Sequence, residues 1–249
     1  MLMMSTHAAS RIVCGVLWVL TIGAIGPAVA GSIAVNPVRQ TLSATQTTGA
    51  LVVRNSGADP SVVQLQVVSW SQQDGKDVQV PTKDLLATPP IFTVPAGGSQ
   101  TVRIGLRRSP DARREGSYRL IMQEVPPPPK PEFRGLQVAL RLSVPIFVAP
   151  AVVSPPTLAW RANLTSQGDV NITAANTSNA HVQVLRFKLL SAGVALPGSE
   201  TPQAAYILPE QQHDWTLRLK SIPAAGSTLR VEAQTDAGDM QADVVVSGS

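Results

Sequence analysis

Between Gly135 and Phe147 the chain reads GLQVALRLSVPIF, and its aliphatic residues fall on every second position. Leu136, Val138, Leu140, Leu142, Val144 and Ile146 share one face, while Gln137, Ala139, Arg141, Ser143 and Pro145 share the other. Only an extended strand, with its period of two, puts such residues on one side. Pro145 has no amide to give to a ladder, which predicts that one end of the strand lies at a sheet edge. A bare aliphatic edge is a liability, because it invites pairing with another chain. The sequence therefore poses the question of what this edge is kept for.

The same period governs the chain from residue 32 onward. SIAVNPVRQTL (32–42) is a strand broken by Pro37; GALVVRNSG (49–57) and SVVQLQVVSW (61–70) follow, separated by the turn-forming NSGADP. QQDGK (72–76) carries an Asp-Gly hairpin pair. PPIFTVPAGGSQTVRIGL (89–106) reads as strand, turn, strand, and SYRLIMQEV (117–125) as a further strand. Roughly seven short strands with turns about every 8–12 residues describe an antiparallel sandwich. Prolines cluster in VAPAVVSPP (148–156), where the pattern stops, and that stretch is read as a linker. Short alternating runs then resume: TLAWRANL, DVNITAANTS, HVQVLRFKLL, AAYILPEQQHDWTLRL, STLRVEAQTDAG and MQADVVVS. A second, smaller β-sandwich is expected. No long amphipathic helix and no solenoid repeat is seen.

The first thirty residues are set apart from this pattern. An apolar run, IVCGVLWVLTIGAIG, follows the single charge of Arg11 and ends at the small residues Ala28-Val29-Ala30. This is the form of an export signal cleaved after Ala30, and the run is too short to span a bilayer comfortably. The alternative is a membrane anchor. The only cysteine, Cys14, lies inside that segment, so an exported product has no disulfide and depends on its cores. Without Arg11 it carries nineteen basic and sixteen acidic residues, a net charge of +3. Arg107-Arg108 and Arg113-Arg114 are read as solvated loop charges, and no basic, aromatic-rich face suggests nucleic acid.

Signs of catalysis are few. His181 and His213 lie at a strand start and in a turn, without metal-ligand partners at a regular spacing, and are expected to be structural. No nucleophile elbow and no phosphate-binding glycine loop is present. Glu115 and Glu124 are single carboxylates that a β protein usually leaves solvated. No cofactor or metal is expected, and an enzyme is not.

At this point the residues resemble a known family. LLATPPIFTVPAGGSQTVRIGL (85–106), SYRLIMQEVPPPP (117–129), LQVALRLSVPIFVAP (136–150) and NPVRQTL (36–42) are similar to ordered motifs of the periplasmic pilus-assembly chaperones of the chaperone–usher pathway. The likeness covers most of 31–150. The long proline exit and the lack of cysteines look more like the archaic type. It implies two immunoglobulin-like domains, 31–150 and 151–249, set at an angle with a cleft between them.

The resemblance also implies a mechanism: the last strand of the first domain is lent to a pilin subunit whose own sandwich lacks a strand, and an outer-membrane usher takes the subunit over. Donor positions are then Leu136, Val138, Leu140 and Leu142. A basic pair in the cleft would hold the subunit's terminal carboxylate. Arg39 matches the family's first-strand arginine, but the usual partner lysine is replaced by Pro145. Arg119 is the preferred substitute, with Arg103 and Arg141 behind it. Pilins and an usher are the expected partners, in the periplasm, with neither nucleic acid nor stable membrane insertion. Self-capping of the free edge by a second copy is a further expectation. The alternatives are a pilin or adhesin of tandem sandwiches, against which the missing N-terminal donor arm speaks, and a β-sandwich hydrolase.

Overall fold

A computed structural model describes residues 33–73, 75–128, 138–200 and 203–248. The strands, in chain order, are β1 (Ile33–Asn36), β2 (Gln40–Leu42), β3 (Thr48–Asn55), β4 (Ser61–Gln73), β5 (Lys76–Pro81), β6 (Leu85–Thr88), β7 (Ile91–Val94), β8 (Ser99–Leu106), β9 (Gly116–Val125) and β10 (Arg141–Val148). After the proline-rich stretch come β11 (Leu158–Leu164), β12 (Val170–Asn176), β13 (Val182–Ser191), β14 (Val194–Ala195), β15 (Ala205–Ile207), β16 (Gln212–Leu217), β17 (Thr228–Thr235) and β18 (Gly238–Ser247). Among the described residues there is no helix, and the all-β expectation holds.

The first ten strands form two facing sheets. One has the order β1-β3-β8-β6; the other runs β2-β10-β9-β4-β5, with β7 also joined to β4. Alternation fills the space between them. Leu51, Val53, Val102 and Ile104 come from one side, and Leu120, Met122, Val144 and Ile146 from the other; all are buried. Gly75 turns the β4–β5 hairpin with a φ of 72°, a left-handed conformation that glycine adopts without a Cβ penalty.

The last eight strands form a sheet in the order β14-β13-β17-β18-β11-β12-β16, with β15 joined to β13. β18 pairs with β17 along most of its length, and its end (Val246, Ser247) pairs with β11, which lets the sheet close over a second core. Ile172, Phe187, Leu189, Trp215, Leu229 and Val231 fill that core. A bulge between Val184 and Arg186 explains a phase slip in HVQVLRFKLL. Val182 and Val184 point inward, the extra residue is absorbed, and Phe187 and Leu189 then take over the inward phase, leaving Leu185 exposed.

Each sandwich ties a strand end with a buried asparagine. The Asn55 amide donates to the Asp59 and Val94 carbonyls and accepts from the Gly57 amide. Asn176 likewise donates to Ala180 and Ile207 and accepts from Ser178. Both side chains are almost fully buried, and each satisfies a carbonyl in a buried bond, that of Val94 or of Ile207.

The described residues all belong to one compact unit, 31–249. A third apolar cluster joins the two sandwiches: Trp70 of β4, Phe147 of β10 and Leu208 are buried together, with Tyr206 against them. The Gln72 side chain closes it, accepting from the Leu208 amide at 3.0 Å and donating to the Tyr206 carbonyl at 2.9 Å.

Candidate functional site: the open edge of β10 and the arginines beside it

β10 is hydrogen-bonded along its whole length to β9, with Arg141 opposite Gln123 and Val148 opposite Gly116. On its other side only Ile146, Phe147 and Val148 are covered, by a parallel pairing with Gln40, Thr41 and Leu42 of β2. Among the described residues no strand covers Arg141–Pro145 on that side. The edge expected from Pro145 is therefore real, and it is open upstream of β2.

The alternating face shows a gradient of burial. Ile146 and Val144 are fully inside the sandwich core. Leu142 and Leu140 are half-buried and touch the same core, and Val138 is 76% exposed. The regular strand begins at Arg141, and Val138, Ala139 and Leu140 lie outside it although they continue the alternation. Leu140 is tied to β9 from outside the regular ladder: its carbonyl accepts from the Glu124 amide, and its amide donates to the Glu124 carboxylate. Leu136 lies outside the described residues. Leu140 and Leu142 are thus not bare; one edge of each already packs on the protein's own core, because that core continues along the same face of β10.

The two arginines flank Pro145. Arg119 is its direct cross-strand partner on β9. Arg39 immediately precedes Gln40, which pairs with Ile146, so it lies level with Pro145 on the other side. The Arg119 guanidinium lies 3.7 Å above the Trp70 ring and pairs with Asp77 at 3.1 Å; its Nη1 donates to the Ser143 hydroxyl. Its Nε is buried without a partner. Burial lowers the Arg119 pKa, against the opposing charge of Asp77. Arg39 pairs with Asp236 at 2.6 Å. Burial works against the Arg39 charge, but the hydrogen bond and charge of Asp236 outweigh it and raise the pKa. Arg103 is exposed on β8 in the facing sheet, and Arg141 is exposed at the start of β10; neither joins this group.

Two expectations need correction. Glu115 is not solvated: it is 8% exposed and accepts from the His181 ring at 2.8 Å and from the His181 backbone amide. His181, expected to be structural, is packed between charged and aromatic neighbours. Its other ring nitrogen is 3.5 Å from Asp236, and the ring stacks on Phe147 with centroids 3.5 Å apart. His213 lies in β16, edge-on to Trp215, and not in a turn. The loop arginines are exposed, as expected, and two of them also make contacts: Arg114 donates to the Pro209 carbonyl and pairs with Glu210, while Arg108 pairs with Asp84. Apart from the His213–Trp215 contact, each of these joins residues remote in sequence, and a lone polar residue in a loop carries no periodic mark of its destination.

The result is a chain of charge between the sandwiches: Arg39, Asp236, His181, Glu115. Burial favours neutral imidazole, but hydrogen bonds to Asp236 and Glu115 prevail and raise the His181 pKa. Burial alone would raise the pKa of Asp236; hydrogen bonds from His181, the Gln183 amide and Arg39 hold it down to about 2.

Residues 32–154 match the N-terminal domain of the PapD family, the pili and flagellar-assembly chaperones. A curated relative, the chaperone protein FimB/FhaD of Bordetella pertussis, is 27% identical over 213 residues, covering 82% of this chain and 84% of its own. The chain belongs to the pilus-assembly chaperones. This favours the chaperone over the pilin alternative.

Solved structures agree on the fold. The CsuC–CsuE chaperone–tip subunit complex of the archaic Csu pili of Acinetobacter baumannii matches with a TM-score of 0.63 at 18% identity, over 88% of this chain and 100% of that one. The YadV chaperone matches at 0.60 and 19% identity, over 85% and 99%. The CupB2 chaperone of Pseudomonas aeruginosa matches at 0.56 and 18%, over 86% and 100%. Two immunoglobulin-like sandwiches are thus the chaperone's architecture.

Proposed function

We propose that this chaperone works in the periplasm, after cleavage behind Ala30, and holds pilin subunits by lending them the open edge of β10. Its domains are 31–150 and 151–249. The observation that carries the reading is the burial gradient on one face of β10. Ile146 and Val144 complete the chaperone's own core, Leu142 and Leu140 are shared, and Val138 is left exposed. A client whose sandwich lacks a strand gains main-chain hydrogen bonds from the uncovered edge and apolar side chains from the same face. Each aliphatic that goes from exposed to fully buried contributes about 1.5–3 kcal/mol. Leu136 extends the pattern as a further donor position.

Arg39 and Arg119 serve as the anchor for the client's terminal carboxylate. They stand on either side of Pro145, where the family's usual lysine is missing, and arginine forks suit a carboxylate. An outer-membrane usher receives the loaded complex. The Csu complex, whose chaperone is bound to its tip subunit, supports this reading, and its archaic class fits the cysteine-free mature chain.

The test is co-expression with a pilin subunit encoded beside the chaperone, followed by periplasmic pull-down. Val138→Asp with Leu140→Asp should abolish recovery of soluble subunit while the chaperone stays folded. Recovery at the native level would refute the donor-strand assignment. Arg39→Ala should reduce recovery with the fold unchanged, and undiminished recovery would remove Arg39 as an anchor.

A further inference from the structure

The pair of arginines does not stand in a positive cleft. Arg119 is matched by Asp77, and Arg39 by Asp236. Glu115 adds another carboxylate, buried, next to His181. The group Arg39, Asp236, His181 and Glu115 therefore carries a net charge of zero when the imidazole is protonated and of −1 when it is neutral. An incoming carboxylate meets no net opposition in the first state and a repelling excess in the second. Coulombic effects of this kind persist where groups are largely shielded from water, as the His181 side chain is at 12% exposure.

The surroundings of His181 are fully specified. From the loop before β9 comes Glu115, and from the β17–β18 turn Asp236, with Arg39 behind it. From β10 comes the Phe147 ring, and from β15 the Tyr206 ring, at 3.5 and 5.7 Å between centroids. Asp236 is the shared element: one of its oxygens takes both the Arg39 guanidinium at 2.6 Å and the His181 ring at 3.5 Å, and the other accepts from the Gln183 amide. A cation on His181 draws part of that carboxylate's charge away from Arg39.

We propose that His181 is a positioning residue for Arg39, acting through Asp236, and that its imidazolium is the form in which the cleft accepts a client's terminal carboxylate. The proposal rests on the reading of Arg39 as the carboxylate anchor. It makes capture tighter on the acid side of the histidine's titration and weaker on the alkaline side. By linkage, a bound carboxylate must raise the affinity of His181 for its proton by the same factor.

The experiment uses the mature chain and a synthetic peptide of alternating valine and threonine, with either a free terminal carboxylate or a terminal amide. The ratio of the two affinities reads the anchor alone. Between about pH 5.5 and about pH 8.5 the native chain should lose about tenfold in that ratio, the equivalent of about one pKa unit. His181→Gln should show a low ratio without the pH dependence. His181→Arg, a planar cation that does not titrate, should keep the ratio high and flat. A ratio that still titrates in His181→Gln overturns the proposal, as does a flat native profile. Arg39→Ala separates the two readings. If it keeps the carboxylate preference, the anchor assignment fails; if it loses the preference while the native profile is flat, only the role of His181 fails.

A second measurement needs no client. The His181 ring is titrated by NMR in the native chain, in Arg39→Ala and in Asp236→Asn. Loss of the Arg39 cation should raise the midpoint, and loss of the Asp236 anion should lower it. Midpoints that do not move in these directions show that the coupling is absent, and the proposal is then wrong.

Discussion

Gln72 offers the most direct test of what holds the two sandwiches together. The side chain is 6% exposed, and both of its polar ends bind the backbone of the second sandwich, at Leu208 and Tyr206. Gln72→Met keeps the length and volume but removes both partners. The Leu208 amide is buried, so leaving it unpaired costs about 1–3 kcal/mol. The Tyr206 carbonyl is only partly buried and adds a smaller penalty, for a total of about 2–4 kcal/mol. Urea denaturation followed by tryptophan fluorescence reads it, since Trp70 stands in the joint and Trp160 and Trp215 stand in or against the second core. With a slope of about 2 kcal/mol/M the midpoint should fall by about 1–2 M. The Trp70 part of the signal should also change ahead of the rest, because the joint opens before the cores melt. A midpoint shift below about 0.3 M, with all tryptophans still reporting one transition, would refute the reasoning.

Along β10, Ile146→Ala should cost about 2–4 kcal/mol in the same assay, and Val138→Asp should stay within about 0.5 kcal/mol; client capture should rank the two in the opposite order. Asn176→Leu removes the partners of the Ala180 and Ile207 carbonyls and the Ser178 amide and should destabilise by about 2–4 kcal/mol, measured by thermal or urea unfolding. Stability should also follow pH. The His181 pKa is raised, so its contribution is complete below the ordinary value of about 6.5 and fades as pH rises through the raised one. Asp236 is held at about 2, so its contribution, about 2 kcal/mol, is present above the ordinary carboxylate value and is lost as pH falls toward that figure. Urea midpoints between about pH 4 and pH 9 should therefore decline on the alkaline side, and Arg39→Ala should lower the whole plateau.

Much of the fold was legible in the sequence because alternation is a local property. Leu51, Val53, Val102 and Ile104 can be read inward from their neighbours alone, and Gly75 marks its hairpin. The open edge at Pro145 was legible for the same reason. The start of β10 was not: Val138 continues the alternation, but the regular ladder ends at the Arg141–Gln123 pair. Nor was the bulge after Val184, which appears in the sequence only as an extra residue in an otherwise regular run. The charge chain was hidden altogether. Arg39 meets Asp236 across 197 residues, and Glu115 meets His181 across 66. Docking of the sandwiches creates those contacts, and neither partner shows a pattern that names the other.

The short parallel pairing of β2 with the end of β10 has a consequence for client length. A guest strand laid along the open edge can travel only as far as Gln40, where the edge is already taken, and Arg39 stands at that stop. The edge is therefore a ruler with a fixed zero. A subunit docked with its chain end at the zero mark has every side chain counted from that end, in steps of about 3.3 Å. One residue more or less at its terminus would turn its apolar residues to the wrong side. Under the donor-strand proposal, selection of the correct guest lies partly in where its chain stops, and not only in which side chains it carries.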